Sequence, residues 1–141
     1  MVARAPDDFH HPTVLVVDDV FDVRAAYRFM LEAREFRVVD AEDAAGALET
    51  LKKHPVEVIL TDLYMPGDLD GVGLINAIRK MRGRQPAIIA MSGTPHIAYR
   101  SSLQAARYVG ADAALTKPVA GDLLVSTIRR LIGGGPSLLR H

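Results

Sequence analysis

Short runs of Val, Ile, Leu and Ala alternate along the chain with longer segments whose apolar positions recur every three or four residues. Unbroken apolar runs suit strands buried on both faces of a parallel sheet, and the amphipathic segments between them suit helices laid on that sheet. Five strand candidates follow, at residues 13–17, 37–40, 56–61, 87–91 and 113–116. Between them, Val23, Ala26, Tyr27 and Met30 form one helical stripe, Ala44, Ala47, Leu48 and Leu51 a second, and Leu74, Ile75 and Ile78 a third, near 72–81. The last helix, near 120–132, packs through Leu124, Ile128 and Leu131. The segment 98–109 differs, because Tyr99, Arg100, Ser101, Ser102 and Gln104 leave it a thin apolar stripe and the weakest hold on the sheet.

This alternation predicts an α/β fold, a doubly wound parallel sheet with helices on both faces, over residues 13–132. Residues 1–12 read as a polar, flexible arm. Residues 133–141 read as a tail or the start of a linker, since Gly133, Gly134, Gly135 and Pro136 end a helix.

With 141 residues the chain can build one real core, burying roughly two-thirds of its unfolded surface. Lys plus Arg and Asp plus Glu are 17 each, so no basic field draws nucleic acid and no acidic excess keeps the chain unfolded. The absence of Cys excludes disulfides and thiol chemistry. The opening MVARAPDDFHHP lacks the apolar core of a signal peptide, and no apolar run approaches the roughly 18 residues of a membrane span. A soluble, cytoplasmic protein without membrane or direct nucleic-acid contacts is the expectation.

The first strand, VLVV, runs into Asp18 and Asp19, with Asp22 close behind. Like charges at the end of a buried strand repel, so positive charge is expected beside them. In an open parallel sheet, functional groups collect at the carboxyl ends of the strands. That rule selects Asp18 and Asp19 from the first strand, Asp62 from the third, Ser92 from the fourth and Lys117 from the fifth. An oxygen-only donor set suits a hard divalent cation, and Mg²⁺ better than a Ca²⁺ cage. Asp62, after VEVILT, can act as a nucleophile toward phosphorus, in a reaction that asks the protein mainly for positioning and charge neutralisation. Taken singly, each residue also has a plainer reading. Asp19 or Asp22 would serve as helix N-caps, Ser92 with Gly93 as a turn, Lys117 as a surface cation, and Asp68 and Asp70 as loop residues. His10, His11, His54, His96 and His141 lack metal-ligand spacing and read as surface residues.

Together, the acidic pair in VLVVDDV, the segment TDLYMPGDLDG, Ser92 in IIAMSGT and Lys117 with Pro118 in LTKP resemble the receiver domain of two-component response regulators, over residues 13–132. The resemblance implies a flavodoxin-like (βα)5 fold of strand order 2-1-3-4-5, with Asp62 as phosphoacceptor. It implies Mg²⁺ held by Asp19 and Asp62, by Asp18 through water, and by the backbone carbonyl of Tyr64. Lys117 and Ser92 would contact phosphoryl oxygens, and the Lys117–Pro118 bond is similar to one that is usually cis in the family. The implied partners are a sensor histidine kinase or histidine phosphotransfer protein, a downstream protein target, and a second copy through the face of the fourth and fifth helices, to which Arg107, Arg129 and Arg130 would contribute. Such a domain catalyses its own phosphorylation and dephosphorylation and is not a turnover enzyme.

Three departures from the family pattern stand out. The loop from Asp62 to Gly71 is one residue longer, with Asp68 or Leu69 as the insertion, so a second acid could reach the metal edge. The stretch from Ser92 to Lys117 is also longer. Ala114 stands where the family commonly has an aromatic ring that turns inward on activation, leaving Tyr99, Tyr108 or movement of the segment 98–109 to carry the signal. Tyr64 and Thr94 flank the path of attacking water, and a ring at Tyr64 should slow hydrolysis. A haloacid-dehalogenase-type phosphatase is disfavoured because Tyr64 stands where its general acid belongs. A nucleotide-binding module is disfavoured because the first turn has no glycine-rich cradle. The remaining alternative is a receiver-like interaction module that works without phosphorylation.

Overall fold

The structure, a computed structural model, describes residues 11–65, 69–93, 104, 107 and 110–133. Five parallel strands, β1 (Thr13–Val17), β2 (Arg37–Ala41), β3 (Val58–Asp62), β4 (Ala87–Ser92) and β5 (Ala113–Thr116), pair in the order β2-β1-β3-β4-β5. Four helices are fully described: α1 (Phe21–Glu32), α2 (Ala44–Lys53), α3 (Gly71–Arg79) and α4 (Gly121–Ile132). Between β4 and β5, Gln104 and Arg107 are helical, where the sequence predicts a helix. None of the described helices is long and apolar enough to cross a membrane.

The period-2 alternation of β1 divides the core. Leu15 and Val17 point to one face, with Ile59, Ile88, Ala44, Ala47, Leu74, Ile75 and Ile78 from β3, β4, α2 and α3. Val14 and Val16 point to the other, with Leu60, Ile89, Leu31, Leu124 and Ile128 from β3, β4, α1 and α4. Both faces being covered, the inner strands had to be continuous apolar runs, which is why they were legible.

The differences from expectation are local. Strand β3 starts at Val58 rather than 56, because the Glu57 carboxylate takes the Thr13 N–H at 2.7 Å in place of a ladder carbonyl. It ends one residue later, at Asp62, and β4 ends at Ser92, so both polar residues belong to the sheet itself. In α1, Ala26 is exposed, since it is turned about 100° from Tyr27, and Leu31 supplies the buried anchor. The N-cap of α1 is Val20, with no side-chain cap, so neither Asp19 nor Asp22 caps it. Asp43 and Asp70 are the capping acids, accepting from the N–H groups of Gly46 at 2.7 Å and Gly73 at 2.9 Å. Asp70 is therefore a helix cap rather than a plain loop residue. Asp68 lies outside the described residues.

Gly71 shows why the loop after β3 tolerates no side chain at its end. A Cβ there would collide with the carbonyl oxygen of Asp62 and come within 2.6 Å of the Leu63 Cα. The Gly71 N–H bonds the Leu63 carbonyl at 3.1 Å, drawing the start of α3 onto the end of β3. This contact fixes the backbone of Asp62.

Candidate functional site

The carboxyl ends of β1, β3, β4 and β5 bring Asp18, Asp62, Ser92 and Lys117 to one edge of the sheet, as the strand-end rule requires. Asp18, Asp19 and Asp62 each place a carboxylate oxygen within 4.8 Å of the others. Asp18 is 1% exposed, whereas Asp19 faces solvent. The positive charge that this cluster demanded is Lys117. Its ammonium lies 2.8 Å from Asp18 Oδ2 and 3.6 Å from Asp62 Oδ1. The Lys117 peptide N–H bonds the Ser92 carbonyl at 2.9 Å, and the Lys117–Pro118 bond is cis, as the resemblance implied. Ser92 is fully buried, paired in the ladder with Thr116 and adjacent to Met91, the strand partner of Asp62.

Burial pushes the Asp62 carboxyl above the ordinary carboxylate range; Lys117 and the Tyr64 N–H oppose this, while Asp18 and Asp19 add to it. For Lys117 burial works to lower the pKa, yet the Asp18 hydrogen bond and the charges of Asp62 and Asp18 outweigh it, and the net direction is upward. At neutral pH the ammonium is therefore held charged between two acids.

These residues fit a hard divalent cation. Three carboxylates converge with only oxygen donors, and one ammonium leaves them two negative charges in excess. Asp70 is directed elsewhere, onto the N–H of Gly73. The side chain of Tyr64 is exposed beyond the end of β3.

The family model described as "Response regulator receiver domain" matches residues 14–129. The chain belongs to the response regulator receiver family. Among its relatives, the transcriptional regulatory protein KdpE of Mycobacterium tuberculosis is 31% identical over 119 residues, which cover 84% of this chain and 50% of KdpE. The chain thus spans about half the length of that relative. A response regulator receiver domain protein from Clostridium thermocellum has the same fold with a TM-score of 0.80 at 26% identity, covering 90% of this chain and 98% of the other. The chemotaxis protein CheY4 of Vibrio cholerae matches with a TM-score of 0.73 at 26% identity, covering 86% and 98%. The receiver family places this chain among the signalling domains of two-component systems, which bind Mg²⁺ in an acidic pocket.

Two residues of this receiver's site escaped the sequence reading. Arg24 donates from Nη1 to the Asp18 carbonyl at 2.8 Å, pinning the turn after β1, and its Nε lies 3.8 Å from Asp40 at the end of β2. A charged residue among the half-buried positions of an amphipathic helix is the signal that could have revealed it. Tyr27, read as a packing residue, is half-buried close enough to the cluster that its phenol feels Lys117, Asp18 and Asp62, with burial raising its pKa. Ala114 is half-buried in β5 opposite Ala90. Thr94, Tyr99 and Tyr108 lie outside the described residues. Arg107, Arg129 and Arg130 are exposed, with Arg129 stacked over the Phe36 ring at 5.5 Å.

Proposed function

We propose that this receiver is a phosphorylation-operated switch in which Asp62 is the phosphoacceptor. The observation that carries the reading is the single cluster of Asp18, Asp19 and Asp62 within 4.8 Å, with the Lys117 ammonium against Asp18 and Asp62. An Asp62 oxygen attacks the phosphorus of a phosphohistidine on a sensor kinase or phosphotransfer protein, or of a small donor such as acetyl phosphate. The P–N or P–O bond to the donor breaks, and its electron pair leaves with the donor. Asp18, Asp19, Asp62 and the Tyr64 carbonyl would hold Mg²⁺, which when bound supplies charge neutralisation for the phosphoryl oxygens. Lys117 neutralises further charge by turning from Asp18 to a phosphoryl oxygen, and the Ser92 hydroxyl donates to another.

A phosphoryl group adds negative charge and acceptor oxygens at the strand ends. It favours whichever arrangement brings Ser92 and Lys117 onto it, and that preference drives the change read by a protein target. With Ala114 lacking a ring, the segment 98–109 is where we expect the change to be transmitted. Identical amide exchange there with and without a phosphoryl analogue would refute this. The reading places the domain in the cytoplasm, where histidine kinases transfer phosphoryl groups.

The test is intact mass after incubation with acetyl phosphate, with and without Mg²⁺ and beside an Asp62→Asn variant. The expected result is a phosphate-sized gain that requires both Mg²⁺ and Asp62. No gain, together with no spectral response to beryllofluoride, would overturn the reading in favour of an interaction module that works without phosphorylation, a reading that Ala114 favours.

A further inference from the structure

Arg24 lies in the first turns of α1 with its side chain only 13% exposed. Its Nη1 donates to the Asp18 carbonyl at 2.8 Å, whereas its Nε, 3.8 Å from the Asp40 carboxylate, is buried with no hydrogen-bond partner. A buried N–H left without a hydrogen bond is unfavourable, and an apolar residue on this helix would avoid it. Packing therefore does not account for an arginine here. What the arginine supplies is a hold on the acidic turn.

That hold completes a set. The Asp18 N–H bonds the Ala41 carbonyl at 3.2 Å, Oδ1 accepts from the Val20 N–H at 3.0 Å, and Oδ2 takes the Lys117 ammonium at 2.8 Å. With Arg24 on the carbonyl, every polar group of Asp18 is bonded. The carbonyl is the group that matters for the next residue. A peptide unit is planar, so fixing the Asp18 oxygen fixes the plane from which Asp19 departs. Asp19 faces solvent, yet its carboxylate comes within 4.8 Å of those of Asp18 and Asp62.

Arg24 is itself clamped from β2. Asp40, the residue before Ala41, faces both Arg24 and Arg28, whose Nη2 lies 3.5 Å away. Arg28 in turn donates to the Val38 carbonyl at 2.9 Å and to Glu32 at 3.0 Å. The Phe21 ring adds a cation–π contact, its centroid 5.6 Å from the Arg24 guanidinium carbon. The acidic turn is thus braced from β2 twice, directly by the Ala41 carbonyl and indirectly by Asp40 through Arg24.

We propose that Arg24, clamped by Asp40, is a positioning residue for the divalent cation, an inference that rests on the reading of Asp18, Asp19 and Asp62 as its ligands. Arg24 sets the Asp18–Asp19 peptide so that the Asp19 carboxylate stands ready beside the other two. Charge and position then act with opposite signs. Arg24 is a cation beside a cation site, so by charge alone its removal leaves the acids more negative and the site tighter. By position its removal frees Asp19 and the site weakens, and partners that orient metal ligands typically contribute about 10- to 100-fold in affinity.

The probe is Mn²⁺, which takes the same oxygen donors, titrated into the full chain and followed by the EPR signal of the free ion. Arg24→Met should weaken binding about 10-fold, against the direction that charge dictates, while melting in metal-free buffer confirms that the variant is folded at the assay temperature. Arg24→Lys keeps the charge but not the planar fork and should fall between the two. Asp40→Asn should weaken binding in the wild-type background and have little further effect beside Arg24→Met, whereas a pure charge effect would be equal in both. Without any metal, the Asp19 amide NMR signal should move in Arg24→Met and, by less, in Asp40→Asn, the variant that carries the test if Arg24→Met does not fold. Mn²⁺ bound by Arg24→Met as tightly as by the wild type, or more tightly, would overturn this proposal alone, and so would an Asp19 amide signal that stays in place. A wild type that binds no Mn²⁺ would overturn the assignment of the three acids as ligands, and this proposal with it.

Discussion

Replacing Lys117 with Met removes the ammonium while keeping a side chain of similar reach. At an effective dielectric of 20 the Lys117 contact with Asp18 at 2.8 Å corresponds to about 6 kcal/mol and that with Asp62 at 3.6 Å to about 5 kcal/mol of gross Coulomb attraction. Much of this is offset by the cost of burying the ammonium and by screening, since 21% of the Lys117 side chain is exposed. What remains is the cost of leaving Asp18 buried without its counter-charge, with only the Val20 N–H at 3.0 Å still bonded to its carboxylate, and it should destabilise the domain by about 3 kcal/mol at neutral pH and low salt. The Lys117 pKa is raised in the folded state, so its stabilisation is fully present below the ordinary lysine range and lost only as pH climbs through the folded value. Neutral pH is therefore the right place to look. The assay is urea unfolding of both proteins with and without excess MgCl₂. Because a divalent cation relieves the same repulsion, Mg²⁺ should stabilise Lys117→Met more than the wild type and recover a large part of the loss. In an Asp62→Asn background the loss should shrink, since one of the two acids no longer needs neutralising. A loss under about 1 kcal/mol that is the same with and without Mg²⁺ would refute the view that Lys117 is the counter-charge of this cluster.

Asp62→Asn should raise the melting temperature at neutral pH. The raised Asp62 pKa means that the folded chain holds this proton more tightly than the unfolded one, so stability falls as pH rises from the ordinary carboxylate pKa through the folded value. The gain from Asn should accordingly vanish at acid pH, and a gain that grows toward low pH would contradict the assignment. Gly71→Ala should cost about 2 kcal/mol by urea unfolding, because its Cβ meets backbone atoms of Asp62 and Leu63 that have no room to give. Arg79→Ala should cost about as much. Its guanidinium binds the Gly110 and Pro86 carbonyls at 2.9 Å each and Asp112 at 2.8 Å, and Asp112 in turn accepts the Ile88 N–H at 2.8 Å, so faster exchange of the Ile88 amide should accompany the loss. If Asp62 is phosphorylated as proposed, Tyr64→Asn should shorten the lifetime of the phosphoprotein by removing an exposed ring beside the path of water; an unchanged lifetime would count against shielding by that ring.

The sheet was legible in the sequence because burial on both faces leaves a parallel strand almost no freedom but to be apolar throughout. Val14 to Val17 and Ile88 to Met91 announced themselves in this way. The edges of elements were less legible. Asp70 looks the same in sequence as a loop acid or as an N-cap, and only the position of the Gly73 N–H distinguishes them. Asp22 and Asp43 precede helical stripes in similar fashion, yet Asp43 caps a helix and Asp22 lies within the first turn of one.

The sequence by itself determined which residues could meet. Strand ends in a parallel α/β sheet share one edge, so placing Asp18, Asp62, Ser92 and Lys117 at strand ends was enough to bring them together. Tertiary structure decided how they meet. That Lys117 bonds Asp18 more closely than Asp62 depends on pairings between residues 99 and 55 positions apart, together with burial that the sheet and helices create jointly. The same holds for Arg24 beneath the acidic turn, whose Nη1 reaches the Asp18 carbonyl at 2.8 Å. Local pattern is set by periodicity along one segment, whereas charge pairing and cavities depend on distances between segments, and those exist only once the chain has packed.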